Sequence, residues 1–243
     1  MVRLGFAYVD GLGPQAGQAI ERVRDEGGPF RSLFDFFERT RLSREAIENL
    51  ITCGAFDDFG LQRRELLWQL GLIYRPAGRL SEARQAVLPL PTEQDMVPLP
   101  PLSAWQRTID DYAILQLSPD VHPMAFLRQR LTGGRPPIIP IKALAETADD
   151  TRVRIAGLVV CRQRPQTASG FLFMVLEDET ELANVVVRPW VYERYRALAR
   201  TQPCIIVEGL LQRRDDVTNV IAIKLRPLEL PGELPAPEGH NFH

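Results

Sequence analysis

Between two apolar-periodic stretches near the start of the chain lies Val9-Asp10-Gly11-Leu12-Gly13-Pro14-Gln15-Ala16. Two glycines one residue apart allow a tight reversal with positive φ, which a Cβ would oppose. Pro14 suits the first turn of a helix, where its missing N–H has no partner to lose. Ala16, Ala19, Ile20 and Val23 then recur at helical spacing, small where two helices approach. The glycine N–H groups and the N-terminus of such a helix form an anion site suited to a phosphate. Gly11, Leu12, Gly13 and Gln15 are the candidate contacts. A plain αα turn with a glycine cap is the other reading of the same residues.

This is the helix-hairpin-helix pattern, and its chemistry is binding. Catalytic groups do not assemble. Adjacent carboxylates occur at Asp57-Asp58, Asp110-Asp111, Asp149-Asp150 and Asp215-Asp216. Neighbours on a strand point to opposite faces, so a two-metal site is expected to use Asp-x-Asp spacing or distant partners. Asp57, Asp149 and Asp215 read as turn residues or caps. His122, His240 and His243 include no i, i+4 pair on a helix, and Cys53, Cys161 and Cys204 are scattered and odd in number. No phosphate-binding P-loop, Gly-x-Ser-x-Gly or Cys/His nucleophile appears. The chain is expected to hold no catalytic residue, metal site or cofactor of its own, and to incorporate no nucleotide.

The elements that must position the hairpin run helically from Phe6 to about Trp68. Gly27-Gly28-Pro29 stops one helix, Ser32 and Ser43 read as N-caps of the next two, and Arg63 to Leu72 supply another. A second turn at Cys53-Gly54-Ala55-Phe56 has one glycine instead of two and reads as structural. Residues 1–75 form this helix-hairpin-helix region. Residues 76–150 read as a connector, Pro-rich over 76–101, with helices at Ser103–Leu117 and Pro123–Leu131.

From 151 to 228 the period changes to two. Strands are expected at Val153–Cys161, Phe171–Leu176, Leu182–Val187, Cys204–Leu211 and Val217–Leu225, with a helix from Pro189 through Leu198 between the third and fourth. That order is the signature of an OB barrel, with Gly157 as a bulge or bend that helps it close. The fold class is therefore α+β multidomain: an all-α helix-hairpin-helix region followed by a five-stranded OB-fold β-barrel. Residues 229–243 form a C-terminal tail.

The formal net charge is −2, which argues against a generally basic nucleic-acid binder. Its distribution matters more: residues 151–228 hold 12 basic and 8 acidic residues, net +4. Arg162 and Arg164 in the first strand connection, and Arg213 and Arg214 in the last, are placed to flank a single-strand groove. Each is otherwise a solvated loop charge. Phe171 and Phe173 share one face of the second strand, either outward as stacking platforms or inward as core. No stretch approaches the ~18 apolar residues of a membrane span, and the first residues lack the apolar core of a signal peptide, so the expectation is a cytoplasmic protein.

Several segments together resemble the C-terminal region of the alpha subunit of bacterial DNA polymerase III, a C-family polymerase, and more closely its error-prone, damage-inducible paralogue. They are Val9–Gly13, Gly28–Phe36, Leu50–Asp57, Asp111-Tyr112 with Leu117–Met124, Val153–Val160, Phe173–Thr180 and Gly239–His243. The resemblance covers nearly the whole chain. It implies a DNA-directed DNA polymerase, a nucleotidyltransferase of translesion synthesis, repair and damage-induced mutagenesis. Its hairpins would grip duplex DNA and its OB domain would lie near the single-stranded template. Its catalytic aspartates, with their Mg²⁺, would lie in a palm domain upstream, so the chain is expected to be a C-terminal piece of a longer polymerase. Asp10 stands where family members often carry a basic residue, Ser169 where lysine is usual, and Glu181 where glycine is usual. The first two weaken phosphate attraction, and the third is expected to leave its turn strained or remodelled. The rival reading is a protein-interaction module that recruits mutagenesis proteins or the sliding clamp. Gln94–Leu99 faintly resembles a clamp-binding peptide without its terminal aromatic residue.

Overall fold

A computed structural model describes residues 4–74, 99–131, 134–165, 167, 169–214 and 217–229. Most of the Pro-rich stretch, the clamp-like peptide at Gln94–Leu99 but for its last residue, Asp215, Asp216 and Gly239–His243 lie outside them. The chain divides into two compact units, Met1–Leu117 and Ser118–His243.

The first unit holds α1 (Gly13–Gly27), α2 (Leu33–Thr40), α3 (Arg44–Thr52), α4 (Arg63–Ile73) and α5 (Ala104–Leu115). Local chemistry sets their starts. Ser32 Oγ accepts from Asp35 N at 3.1 Å, Ser43 Oγ from Ala46 N at 3.2 Å, and Ser103 Oγ from Gln106 N at 3.2 Å. Each satisfies an amide that the helix itself leaves unpaired. The apolar faces meet in a core of Leu33, Phe36, Ile47, Leu50, Ile51, Leu66 and Leu70. Such side chains contribute about 1.5–3 kcal/mol each when fully buried. Phe36 stands edge-on to Phe30 and Phe56 at 4.8 and 4.9 Å between centroids, a geometry that the ring quadrupoles favour. Ahead of the hairpin the expected helix is a single 3-10 turn, Phe6–Tyr8. The short span between Gly5 and Gly11 leaves room for little more.

The second unit opens with α6 (Pro123–Arg128), whose N-cap His122 accepts from Met124 N through Nδ1 at 3.1 Å. A 3-10 helix follows at Ile141–Glu146. Then come β1 (Arg152–Gln163), β2 (Leu172–Glu177), β3 (Leu182–Val187), α7 (Pro189–Arg194), α8 (Arg196–Thr201), β4 (Cys204–Arg214) and β5 (Val217–Pro227). The strands close into a barrel in the order β1-β2-β3-β5-β4, with β3–β5 parallel and the other pairs antiparallel. This is the OB arrangement. Its interior is filled by Val153, Ile155, Val159, Leu172, Met174, Leu176, Val185, Val187, Ile205, Val207, Val220 and Leu225.

Two details differ from expectation. The bulge in β1 falls between Val159 and Cys161, beyond Gly157. Gly157 serves another need: a Cβ there would lie 2.6 Å from the Glu177 carbonyl oxygen, so its bare backbone lets β2 approach. The helix after β3 breaks at Tyr195, whose φ of −118° divides α7 from α8.

The turn between β2 and β3 is organised by Asp178. Its carboxylate accepts from Thr180 N and Ile141 N at 2.8 Å each and from Glu181 N at 3.1 Å. It also meets the Arg128 guanidinium at 2.6 Å, while Arg128 reaches Glu179 at 2.6 Å. Glu181, expected to leave this turn strained or remodelled, needs no left-handed backbone: among the described residues the non-glycines at positive φ are Arg41, Gln116, Asp150 and Ser169.

Candidate nucleic-acid interface

The hairpin has the backbone its sequence demands. Gly11 and Gly13 sit at φ 70° and 62°, in the left-handed region. Leu12 between them is 3% exposed and packs into the helical core, so it anchors the turn from beneath. Leu12 N donates to Val9 O at 3.3 Å, Asp10 N to Ile114 O at 3.1 Å, and Asn49 Nδ2 to Asp10 O at 2.8 Å. Those bonds hold the loop against α3 and α5.

Pro14 takes the first turn of α1, and the Leu12 N-cap side chain makes no cap hydrogen bond. The first-turn amides of a helix have no intrahelical partner, so here they are available to an outside acceptor beside the exposed Gln15. Opposing them are two carboxylates. Asp10 is exposed beside the turn, and Glu45 Oε1 would lie 3.9 Å from a Cβ built on Gly11. Like charge near a phosphate site weakens it.

The second turn is built differently. Gly54 N donates to Ile51 O and Ala55 N to Leu50 O, at 3.0 and 2.9 Å. The space over Gly54 is filled by the guanidinium of Arg63, which a Cβ there would strike. This turn spends its amides and its cavity internally.

On the barrel, Leu172, Met174 and Leu176 point in, while Phe173 is 40% exposed and Phe171 half-buried. Phe173 pairs with Gln163 on β1 and Val186 on β3. Val175 pairs with Asn184, which in turn lies beside Asn219 on β5, and Val186 lies beside Ile221. The outer face of β2, β3 and β5 is therefore apolar with an amide pair at its middle. Arg164 follows the Phe173 row. Arg214 pairs with Val217 at the other end of the face, where Leu182 meets Glu177. From Phe173 to Glu177 is about 13 Å at strand rise.

The four arginines do not present alike. Arg162 Nε donates to Ala199 O at 3.0 Å, and its NH2 group bonds Gln202 O. Arg213 NH2 donates to Ala145 O at 2.8 Å and also to Leu144 O. These two close the ends of α8 and of the Ile141–Glu146 turn. Arg164 is exposed and stands 4.3 Å over the Tyr192 ring, and Arg214 is exposed. The sequence could not distinguish them, because the carbonyls that claim Arg162 lie 37 and 40 positions away. It also passed over Arg188 and Trp190, which are exposed at the start of α7. A bulky aromatic beside a helix-initiating proline was the available signal.

Among the described residues no cluster of three or more His, Cys, Asp or Glu side chains is placed to hold a metal, and no helix is long and apolar enough to cross a membrane.

The chain thus joins a two-glycine hairpin, ahead of an amide-presenting helix, to an OB barrel. A family model described as a helix-hairpin-helix motif matches residues 1–66. The error-prone DNA polymerase of Corynebacterium efficiens is 40% identical over 228 residues, 93% of this chain and 20% of that protein. That of Anaeromyxobacter dehalogenans is 36% identical over 243 residues, all of this chain and 20% of its own. That of Mycobacterium tuberculosis is 37% identical over 230 residues, 94% of this chain and 20% of its own. Over nearly its whole length the chain is thus similar to error-prone DNA polymerases, and it spans about a fifth of the length of these relatives. Asparaginyl-tRNA synthetase from Pyrococcus horikoshii aligns over 37% of this chain and 22% of its own at a TM-score of 0.31 and 26% identity, too slight a likeness to carry an argument.

Proposed function

We propose that this chain is the DNA-holding C-terminal part of an error-prone polymerase acting in translesion synthesis, with the carboxylates and Mg²⁺ of the reaction belonging to a palm domain outside it. The observation that carries this reading is identity of 36–40% to error-prone polymerases across 93–100% of the chain. In it, the amides of Gly13 and of the first turn of α1 take a phosphate of the duplex. The outer face of β2 and β3, with Arg164 at one end and Arg214 at the other, takes the single-stranded template. Affinity is weak, micromolar or worse at physiological salt, as expected for non-specific contacts, because Asp10, Glu45 and Ser169 stand where cations would help.

Titrating labelled duplex, single-stranded and primer–template DNA with the chain tests this. Binding of all three with a steep salt dependence, and no nucleotide incorporation with Mg²⁺, supports it. No DNA binding at low salt overturns it. The uncharged middle of the β2-β3-β5 face, with Val175, Val186, Asn184 and Asn219, favours a second reading, a docking face for another mutagenesis protein or the sliding clamp.

A further inference from the structure

The corner where β1, β2 and β3 run out carries a residue unused so far. Trp190 is 55% exposed, which forgoes most of the stabilisation that a buried indole supplies. Charge and backbone converge beside it. Val187 closes β3 opposite Leu172, so the next positions in that register are Arg188 and Phe171. A Cβ on Gly170 would lie 3.6 Å from Pro189 Cγ and 3.7 Å from an Arg164 terminal nitrogen, so the three strand ends meet within a few ångströms. Arg164 is held with its guanidinium 4.3 Å from the centroid of the buried Tyr192 ring, its side chain still 42% exposed. The acidic neighbour is Glu193, 61% exposed and 3.9 Å from Arg164, too far and too solvated to neutralise it.

We propose that this corner is a single-stranded DNA subsite, in which a base stacks on Trp190 while the flanking phosphates pair with Arg164 and Arg188. An exposed indole at the same corner as two exposed arginines fits a ligand that alternates planar π faces with negative charge. The proposal rests on the DNA-holding reading above and adds a stacking residue beyond the β2–β3 face.

The test uses the full chain and a fluorescently labelled oligothymidylate, with anisotropy read at several salt concentrations. Trp190→Ala is expected to weaken binding by about 5- to 150-fold with the log–log salt slope unchanged, and Trp190→Phe to recover most of the loss. Arg188→Gln is expected to lower the slope by about 0.7. A strand of the same length made of abasic nucleotides should bind the parent and Trp190→Ala alike. In a Trp68→Phe, Trp105→Phe chain, the remaining indole emission should quench on adding unlabelled oligothymidylate. That readout also serves if Trp190→Ala fails to fold. A parent that binds the strand while Trp190→Ala binds equally well, or while the Trp190 emission stays unmoved, overturns the stacking subsite and leaves the DNA-holding reading intact. A parent that binds no single strand at any salt concentration overturns both.

Discussion

Arg63 and Asp111, 48 positions apart, form an ion pair at 2.9 Å with side chains only 8% and 4% exposed. The same guanidinium meets Asp57 at 2.9 Å and donates to Thr52 O at 2.8 Å. One side chain thus joins α4, α5 and the turn after α3, and it fills the space over Gly54.

Removing Asp111 takes one of two carboxylates from the buried Arg63 guanidinium and leaves Asp57 and Thr52 O to hold it. Asp111→Ala is therefore expected to destabilise the helical unit by about 1–3 kcal/mol, read by urea unfolding with far-UV circular dichroism. An unchanged unfolding midpoint would show that the pair holds nothing together.

At the first turn, Gly13→Val meets open space, since no atom lies within 4 Å of a Cβ there. The expected cost is purely one of backbone conformation at φ 62°, about 1 kcal/mol or more, together with weaker duplex binding. Thermal melting and duplex titration check the two halves separately; no change in either would mean that the turn is not a phosphate-binding hairpin.

The arginines of the barrel are expected to separate into two classes. Arg164→Ala with Arg214→Ala should flatten the log–log salt slope for single strands by about 1.4 units, 0.7 for each lost phosphate contact, and leave the melting temperature unmoved. Arg162→Ala and Arg213→Ala remove donors from backbone carbonyls and should each cost about 1–3 kcal/mol of stability. Equal behaviour of all four in both measurements would refute the division.

Acid should loosen the barrel unit through Asp178. Burial pushes its carboxyl up, but the Thr180 hydroxyl and the amides of Ile141, Thr180 and Glu181 outweigh it, leaving the group below its ordinary 3.8. A carboxyl whose pKa is lower when folded than unfolded stabilises fully above the unfolded value, and that contribution drains away as pH falls through the folded one. Stability should hold level from pH 7 to about 5 and fall below about 4, near the unfolded value. Asp178→Asn should start lower at neutral pH and lose less on acidification. Urea unfolding across pH 3–7 measures this, and a variant with the parent's acid slope would relieve Asp178 of the role.

Much of this fold is legible from local pattern. β3 begins and ends at Leu182 and Val187 as its alternation predicts, and Ser32, Ser43 and Ser103 cap the helices that follow them. The positive φ of Gly11 and Gly13 follows from residue type alone. What escapes is set by chain folding over long separations. The side chain of Arg162 looks identical to that of Arg164 until α8 arrives to claim it. The outward turn of Phe173 depends on which parity of β2 faces the core, and the β1 bulge at Val159–Cys161 shifts pairing there. The role of Asp178 has no local signal, because its partners Arg128 and Ile141 lie 50 and 37 positions back.

The closure of the barrel has a further consequence for how any partner can approach. With β1 paired to β4 and β3 to β5, the sheet closes on itself, and among the described residues one-sided pairing is left only in short stretches, such as Ile223–Pro227 of β5 beyond its ladder with β3. A peptide lending an extra strand, the usual entry to an open sheet, would find little backbone to pair with. Recognition of nucleic acid or protein then falls mainly to side chains on the outer wall and to the loops at its two ends. Specificity in this unit can accordingly drift by surface substitution while the hydrogen-bonded frame stays fixed.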